Sequence, residues 1–205
     1  MPLLISVGAV PLGWSTLWAN AHDVEPGIRQ AIVAIQHGSP ERAIVLCDAA
    51  LEHGSRTERQ RAWALSTRGV AYAMKKDFPR AFADCDEAIR LDPGFAVAHA
   101  NRGQVHLENK APELAIADCI RAIEQDPRLA IAHGNRAIAH VLLRKMDLAL
   151  AEADLAITLD PSSAEAFLWR GSACNSKGNS NQAILDLGES IRLAPLNSMS
   201  YKIAA

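Results

Sequence analysis

The sequence is poor in aromatic residues, 5% of 205, and has no excess of either charge, with 21 Lys and Arg against 23 Asp and Glu. A core with so few rings must be packed by alanine, leucine and isoleucine, which suits close-packed helices better than a β-sandwich. The near-neutral balance leaves no electrostatic footprint for nucleic acid or anionic lipid. There is no Gly-rich phosphate loop, no Cys-x-x-Cys and no Gly-x-Ser-x-Gly turn. The acids follow a repeat and have a structural account, so no catalytic constellation, cofactor or metal is expected. Cysteine is scarce too, at four residues. Cys85 and Cys119 hold the same slot in consecutive units, as Cys47 does further upstream. Equivalent points on stacked helices lie about 8–10 Å apart, beyond the ~7 Å Cα separation that a disulfide tolerates. Free buried thiols are expected.

Charge is also missing from the first 21 residues, MPLLISVGAVPLGWSTLWANA. The apolar run Leu3 to Trp18 is short for a transmembrane helix and is interrupted by Pro11 and Gly13. It ends in Ala19-Asn20-Ala21, the small-x-small form of a signal-peptidase site, although no Lys or Arg opens it. Residues 1–21 are read as a cleavable export signal, with an apolar N-terminal segment as the alternative. The protein is then exported, periplasmic if bacterial, with the cytoplasm as the alternative. Buried free thiols sit uneasily with an oxidising compartment. The run Arg56 to Arg61, RTERQR, is read as a solvated loop rather than a binding patch.

What is abundant is self-similarity. EAIRLDPGFAVAHANRG (Glu87 to Gly103) returns 34 residues later as RAIEQDPRLAIAHGNRA (Arg121 to Ala137), with nine of seventeen positions identical. Asp92-Pro93, Asp126-Pro127, Asp160-Pro161 and Ala194-Pro195 keep the same spacing. Small residues recur at Gly69, Gly103, Ala137 and Gly171, then 12 residues later at Ala81, Ala115, Ala149 and Ala183. A further set, Ala88, Ala122, Ala156 and Ser190, follows after seven more. Small residues let two helices approach closely, and a proline just past a helix ends it. Each unit therefore reads as helix, tight turn, helix. First helices are predicted at about 62–75, 96–109, 130–143 and 164–177, and second helices at about 78–91, 112–125, 146–159 and 180–193.

This pattern resembles the tetratricopeptide repeat family, whose 34-residue helix–turn–helix period fits four units: 62–95, 96–129, 130–163 and 164–197. Residues 22–61 hold a divergent first repeat and a linker. Residues 198–205, SMSYKIAA, begin a C-terminal capping helix. The resemblance implies an all-α, right-handed superhelical solenoid of stacked antiparallel helix pairs. The family's aromatic slots are poorly filled here: Cys85, Cys119, Ala153 and Leu187 in second helices, and His99, His106, His133 and His140 in first helices. The core is thus expected to be thin and its stability modest.

Arg68, Arg102, Arg136 and Arg170 each precede an acid by 16 residues: Asp84, Asp118, Glu152 and Asp186. In the first unit the equivalents are Gln30 and Leu46, so both members are lost together. The pairing is read as a structural ladder linking the helices of a unit, or neighbouring units. The four histidines lie seven apart on each helix, about 10.5 Å along the axis, too far to chelate one ion. They are read as packing residues.

The resemblance also implies that first helices line a concave groove that takes a partner's extended peptide or helix. Its lining here is Trp63, Thr67 and Val70, then Asn101 and Gln104, Asn135 and Ile138, and Trp169 and Ser172. Asparagine amides offer a donor and an acceptor to a peptide group, and tryptophans are apolar anchors. The lysines and arginine of the family's chaperone-carboxylate clamp are replaced by residues such as Ser66, Ile131, Glu165 and Trp169, so an uncharged or mildly apolar segment fits better. The expected function is a non-catalytic scaffold with a protein or peptide partner and no nucleic-acid or membrane partner. The alternatives are a metal- or pH-responsive module built on the histidines, and a self-assembling protein joined through its C-terminal end.

Overall fold

A computed structural model describes residues 24–54 and 57–193, and among these it contains helices and no strand. The helices pair along the chain: α1 (Pro26–Gln36) with α2 (Pro40–Ala49), α3 (Glu58–Met74) with α4 (Phe78–Leu91), α5 (Ala96–Glu108) with α6 (Pro112–Gln125), α7 (Ala130–Leu142) with α8 (Met146–Leu159), and α9 (Ala164–Ser176) with α10 (Ser180–Leu193). Helix α2 runs on into a π-helical turn, Ala50–Gly54. The export signal of residues 1–21 and the capping helix of 198–205 lie outside the described residues.

Three local devices organise the pairs. Between the two helices of each pair the chain takes a left-handed residue, at Gly38, Lys76, Lys110, Arg144 and Gly178. The next N–H reaches back five residues, as from Asp77 to the Tyr72 carbonyl at 3.0 Å and from Ala111 to His106 at 2.9 Å. This is the Schellman stop, and glycine suits it best. A lysine there carries a Cβ penalty of about 1–2 kcal/mol, partly offset by the greater chain entropy that glycine loses on folding. Lys110→Gly is therefore expected to raise the unfolding free energy by a few tenths of a kcal/mol up to about 1 kcal/mol, read from a shifted denaturant midpoint.

The recurring Asp-Pro also has a mechanical origin. Asp92, Asp126 and Asp160 end α4, α6 and α8, and their carbonyls accept from Phe95, Leu129 and Ser163 at 3.0, 3.1 and 3.2 Å. The Asp126 and Asp160 carboxylates also accept from the N–H two residues on, each at 3.0 Å. Asp first and Pro second is the preferred start of such a turn.

Within each pair, one stripe of the second helix meets the small-residue face of the first. In α4 the stripe is Ala81, Cys85 and Ala88, each fully buried. The contact is tightest at Gly69, where an added Cβ would lie 2.8 Å from Cys85 Sγ and 2.9 Å from the Ala81 carbonyl oxygen. Gly103 faces Cys119, and Gly171 faces Leu187, at 3.3 and 3.5 Å on the same measure. In the third regular unit both slots change together, to Ala137 and Ala153. Volume moves from one helix to the other, and the crossing is kept. The four cysteines are free and buried, and burial pushes the Cys47 thiol up to about 12.

Neighbouring pairs stack by two contacts. First helices pack side by side in the order α1, α3, α5, α7, α9, and each second helix leans on the next first helix. One layer of first helices thus backs onto an outer layer of second helices. Phe82, Ile89, Ile116 and Ile123 fill the joints between units as partly buried side chains. Their equivalents on α10, Ile184 and Ile191, are 68% and 47% exposed.

The helix limits predicted from the period agree with the structure, apart from the start of α3. The residues read as a loop, Glu58 to Arg61, form an extra first turn of that helix. Thr57 Oγ1 accepts from Gln60 N at 3.2 Å, and Gln60 Oε1 accepts from Thr57 N at 3.3 Å. This capping box starts the helix one turn early. Arg59 then reaches Asp92 at 2.6 Å and covers the Phe95 ring. Arg56 lies outside the described residues.

Candidate peptide-binding face

The 34-residue period places the predicted groove residues in rows across the layer of first helices. One row runs Trp63, Val97, Ile131, Glu165; the second Thr67, Asn101, Asn135, Trp169; the third Val70, Gln104, Ile138, Ser172. The structure gathers Trp63, Ile138 and Trp169 into one core cluster, and Val70 into a neighbouring one with α1 and α2. It also buries them further than the sequence suggests. Thr67, Asn101 and Asn135 have no exposed surface, and Trp63, Val70, Gln104, Ile138 and Trp169 are buried. Ser172 is half-buried.

The polar row is poorly satisfied. Asn135 Nδ2 donates to the Ala100 carbonyl on the neighbouring first helix at 3.0 Å. Asn135 Oδ1, both amide atoms of Asn101, Gln104 Oε1 and Thr67 Oγ1 have no partner among the described residues. A buried polar group without a partner costs about 1–3 kcal/mol. Asn101 and Asn135 therefore hold hydrogen-bonding capacity that no described group uses. Trp63 meets Phe95 edge-on, ring centroids 4.9 Å apart, which fixes the indole at one end of the face. Trp169 stands at the other.

At that far end Glu165 closes the otherwise apolar first row. Its side chain is half-buried by surface area, but burial of the carboxyl pushes its pKa up to about 7, and Asp160 adds to the rise. The carboxyl is thus neutral over much of the acid range, in keeping with an uncharged face.

Behind the face, the arginine ladder fixes the spacing of the helices. Arg68 makes two parallel bonds to Asp84 at 2.8 Å, and its remaining arm reaches Asp48 of the preceding unit at 2.5 Å. Arg102 repeats this with Asp118 at 2.9 and 2.6 Å and with Asp86 at 2.7 Å. Arg170 repeats it with Asp186 and Asp154. Both readings of the ladder thus hold at once, since each of these arginines ties the helices of its unit and reaches back to the one before. Asp48, Asp86 and Asp154 escape the sequence reading, although Asp86 and Asp154 lie two periods apart and Asp48 precedes Asp86 by one period plus four residues. Their row is interrupted by Ile120, and there, among the described residues, Arg136 keeps its bond to Glu152 without the reach back to the preceding unit.

The histidines sit against the same acids. His99 and His106 lie 3.8 and 3.6 Å from the Asp118 carboxylate, and His133 Nδ1 lies 2.9 Å from Glu152 Oε2. His106 also packs on Phe82, ring centroids 4.7 Å apart. Among the described residues no three potential metal ligands converge. Burial lowers the pKa of His106 and of His140 below the ordinary 6.5, against the pull of Asp118 and Glu152 respectively. A histidine with a depressed folded pKa contributes stability that is present above 6.5 and lost as pH falls below it. Glu165 has the opposite sign: its contribution is full below 4.5 and is lost as pH rises through about 7. The His106→Phe/His140→Phe double variant is expected to lose less stability than the parent between about pH 7 and 5.5, followed by urea unfolding. Glu165→Gln is expected to gain on the parent progressively from about pH 4.5 and to reach its full advantage above about pH 7.

Comparison with known proteins agrees with this geometry. A tetratricopeptide repeat family model matches residues 28–96 and 135–198, together more than half of the chain. A thermophilic TPR protein of Thermus thermophilus is similar in fold, with TM-score 0.72 and 17% identity over 85% of this chain and 93% of its own. YrrB, described as a TPR protein with an unusual peptide-binding site, is similar at TM-score 0.53 and 24% identity, over 91% and 95%. The first TPR of Spaghetti (RPAP3), solved bound to an HSP90 peptide, is similar at TM-score 0.55 and 22% identity, over 58% and 98%. No curated relative matches the sequence. The period, the paired helices with their small-residue crossings, and the family match over both ends of the array agree: the chain belongs to the tetratricopeptide repeat family.

Proposed function

We propose that the protein is a non-catalytic interaction scaffold that holds an uncharged, mildly apolar peptide segment along the inner face of α3, α5, α7 and α9. The observation that carries this reading is the pair of buried asparagines: among the described residues, neither amide atom of Asn101 has a partner, nor does the oxygen of Asn135. An extended chain presents one N–H and one C=O per residue, which an asparagine amide can satisfy as a pair. Trp63 and Trp169 are the apolar anchors, and no Lys or Arg stands in the three rows. That composition disfavours an acidic peptide such as the HSP90 peptide SRMEEVD on RPAP3. YrrB and RPAP3 lend the reading support by analogy, as similar folds whose descriptions mention peptide. Export of the chain through residues 1–21 is proposed alongside it.

Selection of a displayed peptide library on the full chain tests the class of ligand. Neutral, apolar sequences that fail to enrich on the Asn101→Ala/Asn135→Ala variant support the reading. Enrichment of acidic C-termini, or equal enrichment on both proteins, overturns it. A second reading, self-association through the exposed Ile184 and Ile191 row of α10, predicts a sedimentation coefficient that rises with concentration and ceases to rise in Ile184→Glu/Ile191→Glu.

A further inference from the structure

The arginine ladder is incomplete at one rung. Arg102 and Arg170 each give one guanidinium arm to an aspartate of the preceding unit, Asp86 at 2.7 Å and Asp154 at 2.8 Å. The place 16 residues before Arg136 holds Ile120 instead. Arg136 is short of acceptors on its other side as well. Glu152 stands where the other units have an aspartate, and its two oxygens are divided. One accepts from Arg136 Nη2, and the other lies 2.9 Å from His133 Nδ1. Among the described residues Arg136 Nε has no partner, and Nη1, the arm that reaches back from Arg102 and Arg170, has no carboxylate to meet. A guanidinium carries its donors in a fixed fork that matches a carboxylate, and a buried donor left without an acceptor is costly.

The gap is rimmed by apolar side chains. Leu148 and Leu155 lie four residues before and three after Glu152, one turn to either side of the acid that holds Arg136. Both are exposed, and so is Ile120. The repeat does not place such residues there elsewhere. The equivalents of the two leucines are Arg80 and Glu87 in α4, Leu114 and Arg121 in α6, and Gln182 and Glu189 in α10. Helix α7, which carries Arg136, packs on both α6 and α8, so the cation and the three aliphatic side chains belong to one joint. The joint that lacks its carboxylate is thus also the one with an aliphatic rim. Exposed apolar side chains gathered around a polar group mark an interaction site.

We infer that the joint of α6, α7 and α8 is a second docking site, on the outer side of the array, for a partner protein segment that presents one Asp or Glu among aliphatic side chains. The carboxylate takes the open arm of Arg136, as Asp86 and Asp154 take those of Arg102 and Arg170. Its aliphatic neighbours cover Ile120, Leu148 and Leu155. A single negative charge suits the site, because Glu152 already neutralises part of the cation, and a phosphate dianion beside that acid is repelled. The site lies away from the asparagine rows and does not depend on what they hold.

The test screens the full chain against a bead library of peptides acetylated and amidated at their ends, so that side chains supply the only carboxylates. The hits are expected to include a class with Asp or Glu beside Leu, Ile or Val. That class is expected to bind Ile120→Asp at least about tenfold more weakly, because a carboxylate of the chain itself then fills Arg136, and to bind Asn101→Ala/Asn135→Ala within about twofold of the parent. Ile120→Asp is also expected to unfold at a temperature roughly 1–3 °C above that of Ile120→Asn, which separates a filled site from a damaged fold. Absence of the acidic-aliphatic class, its equal binding to Ile120→Asp, or an Ile120→Asp midpoint no higher than that of Ile120→Asn overturns the inference. The inner-face reading fails separately, since its neutral peptides are lost on the asparagine variant and kept on Ile120→Asp.

Discussion

Asp118→Ala is expected to lower the unfolding free energy by about 2–4 kcal/mol, whereas Asp86→Ala is expected to cost less than about 1 kcal/mol. Both remove a carboxylate from Arg102, so the difference isolates burial from pairing. Asp118 is 5% exposed, accepts both parallel guanidinium bonds, and faces His99 and His106. The Asp86 side chain is 60% exposed and takes one bond. Removing Asp118 leaves a half-buried cation short of its main partner. The loss stays below the largest known for buried pairs because Arg102 retains Asp86 and some access to water. Arg102→Met/Asp118→Leu is expected to recover most of it, since replacing both members of a buried pair by apolar groups is often neutral. Circular dichroism during urea unfolding checks all three. Equal costs for Asp118→Ala and Asp86→Ala would show that the ladder is a surface feature.

Gly69→Ala is the second large effect, a loss of about 1–3 kcal/mol although alanine is the better helix former by about 1 kcal/mol. Its new methyl would lie 2.8 Å from Cys85 Sγ and 2.9 Å from a backbone oxygen, and the backbone can yield only by separating α3 from α4. Gly103→Ala, with 3.3 Å approaches to the equivalent atoms, is expected to cost much less. The Gly69→Ala/Cys85→Ala double variant rebuilds the natural pair of the third regular unit, Ala137 and Ala153, and should regain part of the loss. Thermal unfolding of the four proteins decides it; no rescue by Cys85→Ala would mean that the thiol is not what sets the crossing.

The small residues and Asp-Pro turns behind these effects are local, chemically specific and repeated, so the second helices α4, α6, α8 and α10 can be bounded from spacing alone. Glu58 to Arg61 read as a loop because arginine dominates the run, while the capping box that Thr57 and Gln60 form is what sets the backbone there. The reach from Arg102 back to Asp86 is hidden because its row is broken at Ile120. The inner face is legible in its composition and not in its burial. Pattern places Asn101 and Asn135 on one side of the layer, while what encloses them depends on contacts between distant parts of the chain. The histidines are legible as packing residues, while their contacts with Asp118 and Glu152 come only from the structure.

The most direct measurement is the calorimetric affinity of one library-selected neutral peptide for the full chain and for Asn101→Ala/Asn135→Ala, at matched helix content. The scaffold account predicts a loss of about 1–3 kcal/mol, roughly ten- to a hundredfold in Kd, because two amides that serve the bound backbone are gone. Affinities within about twofold of each other would contradict it, and would move the binding site off the inner face.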